Sequence, residues 1–374
     1  MINNDRVLNE FLELVQIDSE TKYETEIAGI LKKKFTDLGV EVYEDDTKDV
    51  TGHGAGNLVC TLQGTKEGVD TIYFTSHMDT VVPAKGVKPE VKDDGYIYSD
   101  GTTILGADDK AGLATMIEAI KVLKENNISH GTIQFIITAG EESGLVGAKA
   151  LDSSLVKAKY GFALDSDGKV GNIIVAAPTQ AKVKATILGK TAHAGVAPEK
   201  GVSAITIASK AISKMPLGRI DEETTANIGR FEGGQATNIV CDRVDVLAEA
   251  RSLVSEKMEA QVEKMKNAFE TTASEMGGKA EVDVQVMYPG FKFGEGDEVV
   301  EVAKRAAEKI GRPSELLTSG GGSDANVIAG FGVPTVNLAV GYEEIHTTNE
   351  RMPVEELVKL SELVVAIIKE VAGE

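Results

Sequence analysis

Three short runs of this sequence, TIYFT, TIQFIIT and YGFAL, are rich in apolar and β-branched residues and lack polar alternation. Such runs are typical of strands that are buried on both faces of a sheet. Around them lie amphipathic stretches, such as residues 7–15 and 109–125, whose apolar residues recur at helical spacing. This alternation predicts an α/β fold in which helices cover a mixed central sheet.

The hydrophobic pattern of the sequence changes near Pro178. AKVKATILG and EVDVQVMY alternate with period two, which indicates a sheet with one solvent-exposed face. Two helical stretches and two further strand candidates lie between them, and the predicted order βαββαβ is the ferredoxin-like arrangement. Since 374 residues are too many for one simple core, we expect three segments: 1–177, the first part of a catalytic domain; 178–289, an inserted lid domain; and 290–374, the second part of the catalytic domain.

The charge balance excludes two classes of partner. Lys and Arg total 39 and Asp and Glu total 59, so the net charge is −20 and nucleic acid or an anionic membrane would be repelled. The two cysteines, Cys60 and Cys241, are too few for a disulfide framework, which favours a reducing compartment. The sequence shows neither a secretory signal pattern nor an apolar stretch long enough to cross a bilayer. We therefore expect a cytoplasmic protein.

Histidine or acidic residues follow four of the predicted strands, and a further acid opens a helix: His77, Glu141, Glu142, Asp165, His346 and Asp108. Ligands of open α/β sheets gather at the carboxyl ends of the strands. Each residue has a simpler explanation when it is taken singly, because a histidine can be structural and an acid can cap a helix. Together, two imidazoles and three carboxylates from five segments suit two metal sites.

Five segments occur in the order found in a known family: TSHMDT, DGTTILGADDKAG, TAGEESGLVGAK, GKTAHAG and TSGGGSDANV. On these segments the sequence resembles the M20 family of co-catalytic zinc peptidases and amidohydrolases, over nearly the whole chain. DGTTILGADDKAG is most similar to the tripeptide aminopeptidases of that family. GYEEIHTTNERMP, at residues 341–353, is more similar to other branches.

The resemblance implies two Zn²⁺ ions per subunit, and Co²⁺ or Mn²⁺ tolerate similar ligands. Asp108 would bridge the two ions. His77 and Asp165 would complete one site, and Glu142 and His346 the other. Two such cations lower the pKa of a bridging water and polarise the scissile carbonyl.

The resemblance also assigns roles to residues beside the ligands. Glu141 would be the general base, which must not itself bind metal because it has to carry the proton of the water to the leaving amine. Asp79 would hydrogen-bond the ligand imidazole two residues before it. The Asp108–Asp109 peptide bond is expected to be cis.

The remaining site residues belong to the lid domain and the segment after it. His193 would reach the active site of the partner subunit and stabilise the oxyanion, which implies a homodimer through the lid; a lone histidine there is otherwise structural. Asn238 and Arg251 resemble substrate-holding residues, although Arg251 could be an ordinary strand-surface arginine. Gly321, within Gly320–Gly322, would let the backbone approach a substrate, or would only make a flexible connection.

The implied activity is hydrolysis of short peptides with release of the N-terminal residue. A carboxypeptidase, a dipeptidase or an N-acyl amino acid deacylase of the same family would share the metal ligands and differ in the pocket. A non-catalytic binding protein on the same fold is a third interpretation, because fold alone does not prove activity. The presence of Glu141 and of the whole ligand set speaks against it.

Overall fold

The computed structural model describes residues 1–374, and the three apolar runs are strands at the centre of its largest sheet. They form β3 (Ile72–His77), β6 (Ile133–Thr138) and β7 (Tyr160–Ser166). Every residue of β3 and β6 is buried, as are the first five of β7. The absence of polar alternation is explained by this burial, since neither face of these strands meets solvent.

The helices are α1 (Asn4–Val15), α2 (Thr25–Asp37), α3 (Thr47–Thr51), α4 (Ala107–Glu125), α5 (Val146–Ala150), α6 (Ala204–Ser213), α7 (Ser255–Glu275), α8 (Glu298–Lys309), α9 (Asp324–Gly330) and α10 (Val354–Val371). The other strands are β1 (Glu41–Glu44), β2 (Leu58–Leu62), β4 (Glu90–Val91), β5 (Tyr96–Tyr98), β8 (Asn172–Ala177), β9 (Thr179–Leu188), β10 (Gly218–Arg219), β11 (Thr224–Gly233), β12 (Arg243–Ser252), β13 (Lys279–Tyr288), β14 (Phe291–Lys292), β15 (Glu315–Thr318), β16 (Thr335–Ala339) and β17 (Arg351–Pro353). No helix is both long enough and apolar enough to span a membrane.

The chain divides into two compact units. The first contains Met1–Ala176, Phe293–Thr318 and Ser323–Glu374, and the second contains Ala177–Lys292 and Ser319–Gly322. In sequence order, segments of the first unit precede and follow the long segment of the second unit. The short stretch 319–322 also belongs to the second unit.

The large sheet of the first unit is mixed, as predicted. Its strands follow the order β1-β2-β6-β3-β7-β16-β8, with β15 beside β8. The central strands β6, β3, β7 and β16 are mutually parallel, whereas β2 pairs with β6 and β8 with β16 in antiparallel fashion. The carboxyl ends of the four parallel strands consequently lie at one edge of the sheet.

Both faces of this sheet are covered. Neighbouring residues of β3 belong to different apolar clusters, because Phe74 packs in one with Leu113 of α4, and Tyr73 in another with Ile328 of α9. Successive side chains of a strand point to opposite faces, so α4 and α9 lie on opposite sides. The predicted α/β layering is confirmed.

The second unit is an antiparallel sheet with the order β10-β11-β12-β9-β13. Its long elements run β9-α6-β11-β12-α7-β13 along the chain, the βαββαβ order expected from the sequence. Apolar residues of α6 and α7 form one buried cluster with alternate residues of the strands, such as Val183, Ala185 and Val246. The period-two pattern is thus explained by a sheet that buries one face under two helices.

Candidate metal centre and active site

The parallel edge of the large sheet brings the predicted ligands together. His77 is the last residue of β3, Glu141 and Glu142 follow β6, and Asp165 is near the end of β7. His346 lies in the loop that follows β16. Their meeting at this edge follows directly from the common direction of these strands.

Asp108 stands between the two histidines. Its Oδ1 is 3.0 Å from Nε2 of His77, and its Oδ2 is 3.2 Å from Nε2 of His346. Asp108 is buried at the start of α4, and its peptide bond with Asp109 is cis, as expected. One carboxylate therefore presents an oxygen to each imidazole, which is the arrangement that a bridging ligand requires.

The other two carboxylates lie one beside each histidine. Glu142 Oε1 is 3.2 Å from Nε2 of His346, and Asp165 Oδ1 is 3.8 Å from Nε2 of His77. Each pairing joins residues that the sequence had assigned to one metal site.

Two groups of potential ligand atoms are close enough to hold a cation. The donor atoms of His77, Asp108 and Glu142 lie within 4.8 Å of one another, and so do those of His77, Asp109 and Asp165. Asp109 is an addition, because the sequence analysis did not place it among the metal ligands. Its side chain is fully buried, and one of its oxygens, Oδ2, has no hydrogen-bond partner. The structure thus contains two candidate metal-binding groups, one of which includes Asp109.

The carboxylates of the cluster raise the pKa values of both histidines, so the site favours positive charge. Hydrogen bonds to Asp108 and Glu142 raise the pKa of His346 to about 10. Burial alone would lower the pKa of His77, but its hydrogen bond to Asp108 and the charge of Asp165 raise that pKa well above the ordinary value.

The pKa values of the carboxylates shift in different directions. Burial would raise the pKa of Asp108, but hydrogen bonds from His346 and His77 lower it overall. Burial and neighbouring carboxylates raise the pKa values of Asp165 and Glu141 well above their usual range. Several acids thus share a small, largely dehydrated space with only two imidazoles. Divalent cations would neutralise this excess, and the oxygen and imidazole donors suit hard to borderline metals.

Asp79 contacts the ring of His77 through its backbone carbonyl rather than through its carboxylate. Its backbone carbonyl is 2.8 Å from Nδ1 of His77, whereas the nearer carboxylate oxygen is 3.7 Å away. The carboxylate instead accepts the backbone N–H groups of Glu141, at 3.0 Å, and of Glu142, at 3.2 Å. Asp79 therefore holds the ring of His77 through its backbone and the Glu141–Glu142 loop through its side chain.

Three further side chains, which the sequence analysis did not single out, support this edge. The Tyr342 hydroxyl donates to Asp165 Oδ1 at 3.2 Å, and the Asn337 side chain hydrogen-bonds the backbone N and O of Asp165 at 3.0 and 2.6 Å. Buried Asp324 accepts a hydrogen bond from the Thr138 hydroxyl, and its charge contributes to the raised pKa of Glu141. The only sequence signal was that Asp324 lies within the family-like segment TSGGGSDANV.

His193 and Asn238 belong to the second unit, where they lie on neighbouring backbone segments. The backbone N–H of Ala194 donates to the Asn238 carbonyl at 2.9 Å, and both His193 and Asn238 are exposed. Nδ1 of His193 accepts the N–H of Gly195 at 3.2 Å. In the neutral ring the proton consequently lies on Nε2, which makes that atom a hydrogen-bond donor.

Arg251 is held inside the second unit. Its Nε and Nη2 bind the two carboxylate oxygens of Glu249 at 3.0 and 3.2 Å, and Nη1 donates to the carbonyl of Gly320 at 3.0 Å. Neighbouring Gly321 donates its N–H to Ser319 Oγ at 3.0 Å. The residue of this segment that must be glycine is Gly322, because an added Cβ would lie 2.3 Å from the ring of Tyr288.

The chain matches the model of one protein family, described as Peptidase family M20/M25/M40, over residues 73–370. The aminopeptidase PepT from Bacillus cereus ATCC 10987 has a solved structure that is 79% identical, covers 99% of each chain and superimposes with a TM-score of 0.96. A tripeptidase from Staphylococcus aureus subsp. aureus Mu50 is 59% identical over 100% of each chain, with a TM-score of 0.98.

A more distant curated relative is Peptidase T of Clostridium novyi (strain NT). It is 28% identical over 98% of this chain and 99% of its own length. The similarities therefore extend through both compact units and are not confined to the residues around Asp108.

Proposed function

Because the chain belongs to peptidase family M20/M25/M40, we propose that it is a metal-dependent aminopeptidase that removes the N-terminal residue from short peptides. The observation that carries this proposal is the position of Asp108, whose two oxygens lie 3.0 and 3.2 Å from two different imidazoles. The aminopeptidase and tripeptidase names of the two similar solved structures favour the N-terminal specificity.

We assign two divalent cations, zinc in the first instance, to this cluster. Asp108 would bridge them, with His77 and Asp165 on one ion and Glu142 and His346 on the other. The assignment is supported by the pairing of donors and by the excess of buried negative charge. When bound, such cations lower the pKa of a water molecule and polarise a carbonyl.

Glu141 would act as the general base. Its carboxylate would accept the proton of the attacking water and deliver it to the leaving amine. Burial and the charges of Asp165 and Asp324 raise the pKa of Glu141 well above that of a free glutamate. This helps a group that must hold a proton during part of the cycle. Asp79 would keep Glu141 in place by accepting its backbone N–H at 3.0 Å.

We further propose a homodimer formed through the second unit, in which His193 donates a hydrogen bond to the oxyanion in the active site of the partner subunit. Support comes from the exposed side chain of His193 and from the Gly195 N–H on Nδ1, which leaves Nε2–H as the donor.

Substrate contacts complete the proposal. Asn238, which is exposed, and the backbone of Gly321 would touch the peptide. Arg251 is already paired with Glu249 and with the Gly320 carbonyl. We therefore assign Arg251 the role of ordering the 319–322 segment rather than that of binding a free carboxylate. Both Cys60 and Cys241 are free thiols, which supports a cytoplasmic location.

The test compares a free tripeptide with its N-acetylated copy, using protein stripped by a chelator and protein reloaded with zinc. Cleavage of the free peptide alone, with release of its first residue and dependence on added metal, is the expected result. Preference for the acetylated peptide would overturn the aminopeptidase assignment and favour a deacylase or carboxypeptidase. Full activity of metal-free protein would overturn the metal-dependent mechanism.

A further inference from the structure

Glu350 is a buried carboxylate that has no part in the ligand set. Its side chain is 1% exposed, and it accepts three backbone N–H groups. Oε2 accepts those of Leu105 at 2.8 Å and Gly106 at 2.7 Å, and Oε1 accepts that of Asp108 at 3.1 Å. All three donors belong to the short segment that ends at the candidate bridging aspartate.

The three donors lie at the start of α4, where Leu105 and the N-cap Gly106 precede its first residue and Asp108 is its second. The first N–H groups of a helix have no partner within the helix and usually bind a side chain at the N-cap position. Here the N-cap residue is Gly106, which has no side chain to offer. Glu350 supplies the missing acceptor from 244 residues away.

The loop that carries Glu350 also carries His346. Its base is closed by Glu343 and Arg351, whose backbones exchange two hydrogen bonds at 2.9 and 3.0 Å and whose side chains form an ion pair at 2.6 Å. Within the loop, the N–H of Glu350 donates to the carbonyl of Thr347 at 3.1 Å. Glu350 therefore joins a closed loop bearing His346 to the backbone that presents Asp108.

We infer that Glu350 is a positioning residue that sets Asp108 and His346 at the separation a metal ion needs. The inference rests on the proposed metal-dependent function. Without the carboxylate, three buried N–H groups lose their acceptor. The hydrogen bonds that hold the loop against the start of α4 are lost with it. Outer-shell partners of this kind contribute roughly 10- to 100-fold to metal affinity.

The test substitutes Glu350→Gln, which keeps the shape of the side chain but turns one of its acceptor oxygens into a donor. Zinc affinity is measured by competition with a chromogenic chelator, starting from metal-free full-length protein. The matched control is Glu118→Gln, another glutamate that is 1% exposed and accepts a backbone N–H, that of Asn3 at 3.0 Å. It lies ten residues further along α4, about 15 Å from Asp108.

We expect the Glu350→Gln variant to bind zinc roughly 10- to 100-fold more weakly than the wild type, and the control to stay within about threefold. Added zinc should restore turnover of Glu350→Gln by filling the weakened sites. Should Glu350→Gln fail to fold, Glu350→Asp, which keeps the charge on a shorter side chain, is measured in the same way.

A folded Glu350 variant with wild-type zinc affinity, or with a loss no larger than that of the control, overturns the inference alone. Wild-type protein that binds no zinc at all would overturn the proposed metal function, and this inference with it. The two failures are therefore distinguishable.

Discussion

The carboxylate of Asp108 and the imidazole of His346 meet at 3.2 Å, through the carboxylate oxygen that does not face His77. One carboxylate thus faces both imidazoles, which is why we assign Asp108 as the bridge between two adjacent metal ions. Because the two histidines come from the end of β3 and from the loop after β16, the arrangement depends on the whole parallel edge of the sheet.

Removal of the shared carboxylate should therefore affect both metal sites. We expect Asp108→Ala to reduce bound zinc from about two ions per subunit to less than one, because each ion loses a charged ligand. Elemental analysis of gel-filtered protein measures the content. Asp152→Asn, which alters an exposed aspartate on a short 3₁₀ turn, is the control and should keep full occupancy. Unchanged zinc content in Asp108→Ala would refute the bridging role.

Glu141 and Glu142 are adjacent but should behave differently. Glu141→Gln should keep its metal and lose turnover by roughly 10²- to 10⁴-fold, the range for loss of a general base. Glu142→Gln should lose metal as well as activity, because its Oε1 lies 3.2 Å from Nε2 of His346, within the ligand cluster. Zinc content and kcat are measured on the same samples. Near-normal turnover in Glu141→Gln would remove it as the base.

Metal binding should release protons. Hydrogen bonds to Asp108 and Glu142 raise the pKa of His346 to about 10, so this ring is protonated in metal-free protein at pH 8. A metal ion needs the neutral imidazole and must displace that proton. Zinc affinity should consequently increase as pH rises toward 10, with roughly a tenfold gain per pH unit for each proton released.

Calorimetric titration in two buffers of different ionisation enthalpy counts these protons. His346→Ala should release about one proton fewer per subunit than the wild type. His193→Ala, in the second unit, should leave the number unchanged. Equal proton release by the wild type and His346→Ala would contradict the assignment of His346 as a protonated ligand.

The trans role of His193 can be tested by mixing. His193→Ala and Glu141→Ala should each be inactive as homodimers. In an equal mixture with exchanged subunits, the His193→Ala subunit keeps its own Glu141 and receives an intact histidine from its partner. Half of the dimers then carry one working site, so about a quarter of wild-type activity should return. No recovery, after subunit exchange has been verified with tagged chains, would place His193 outside the site of the partner.

The sequence predicted the long elements, which depend on local pattern, and the convergence of the candidate ligands, which depends on strand direction. The start of α4 was predicted at Asp109 and lies at Ala107. Four of the five predicted ligands converge because their strands are parallel, which buried apolar runs already indicated, and Asp108 joins them from the start of α4.

What the sequence did not predict depends on contacts between distant segments. The small sheet β17-β5-β4 pairs Arg351 with Tyr98, and Glu350 caps α4 from the far end of the chain. Neither contact has a periodicity that could reveal it. The sequence predicted a hydrogen bond between Asp79 and the ring of His77 but not its atom, which is the backbone carbonyl because the carboxylate accepts the amides of Glu141 and Glu142.

The packing of the central sheet gives a last prediction, independent of metal. Gly161 lies in β7 beneath the ring of Tyr73, and an added Cβ would stand 2.0 Å from two ring carbons. Tyr73 cannot easily yield, because it is fully buried and its hydroxyl is hydrogen-bonded to Thr335. Gly161→Ala should therefore lower the free energy of unfolding by about 1–3 kcal/mol, the usual cost of overpacking.

Gly29 provides the matched control, because it is exposed within α2 and an added Cβ there meets nothing within 4 Å. Gly29→Ala should raise the free energy of unfolding by about 0.5–1 kcal/mol, since alanine loses less backbone entropy in a helix. Urea denaturation of both variants, followed by circular dichroism, measures the two changes. If Gly161→Ala were as stable as the wild type, the close approach of β7 to Tyr73 would be wrong.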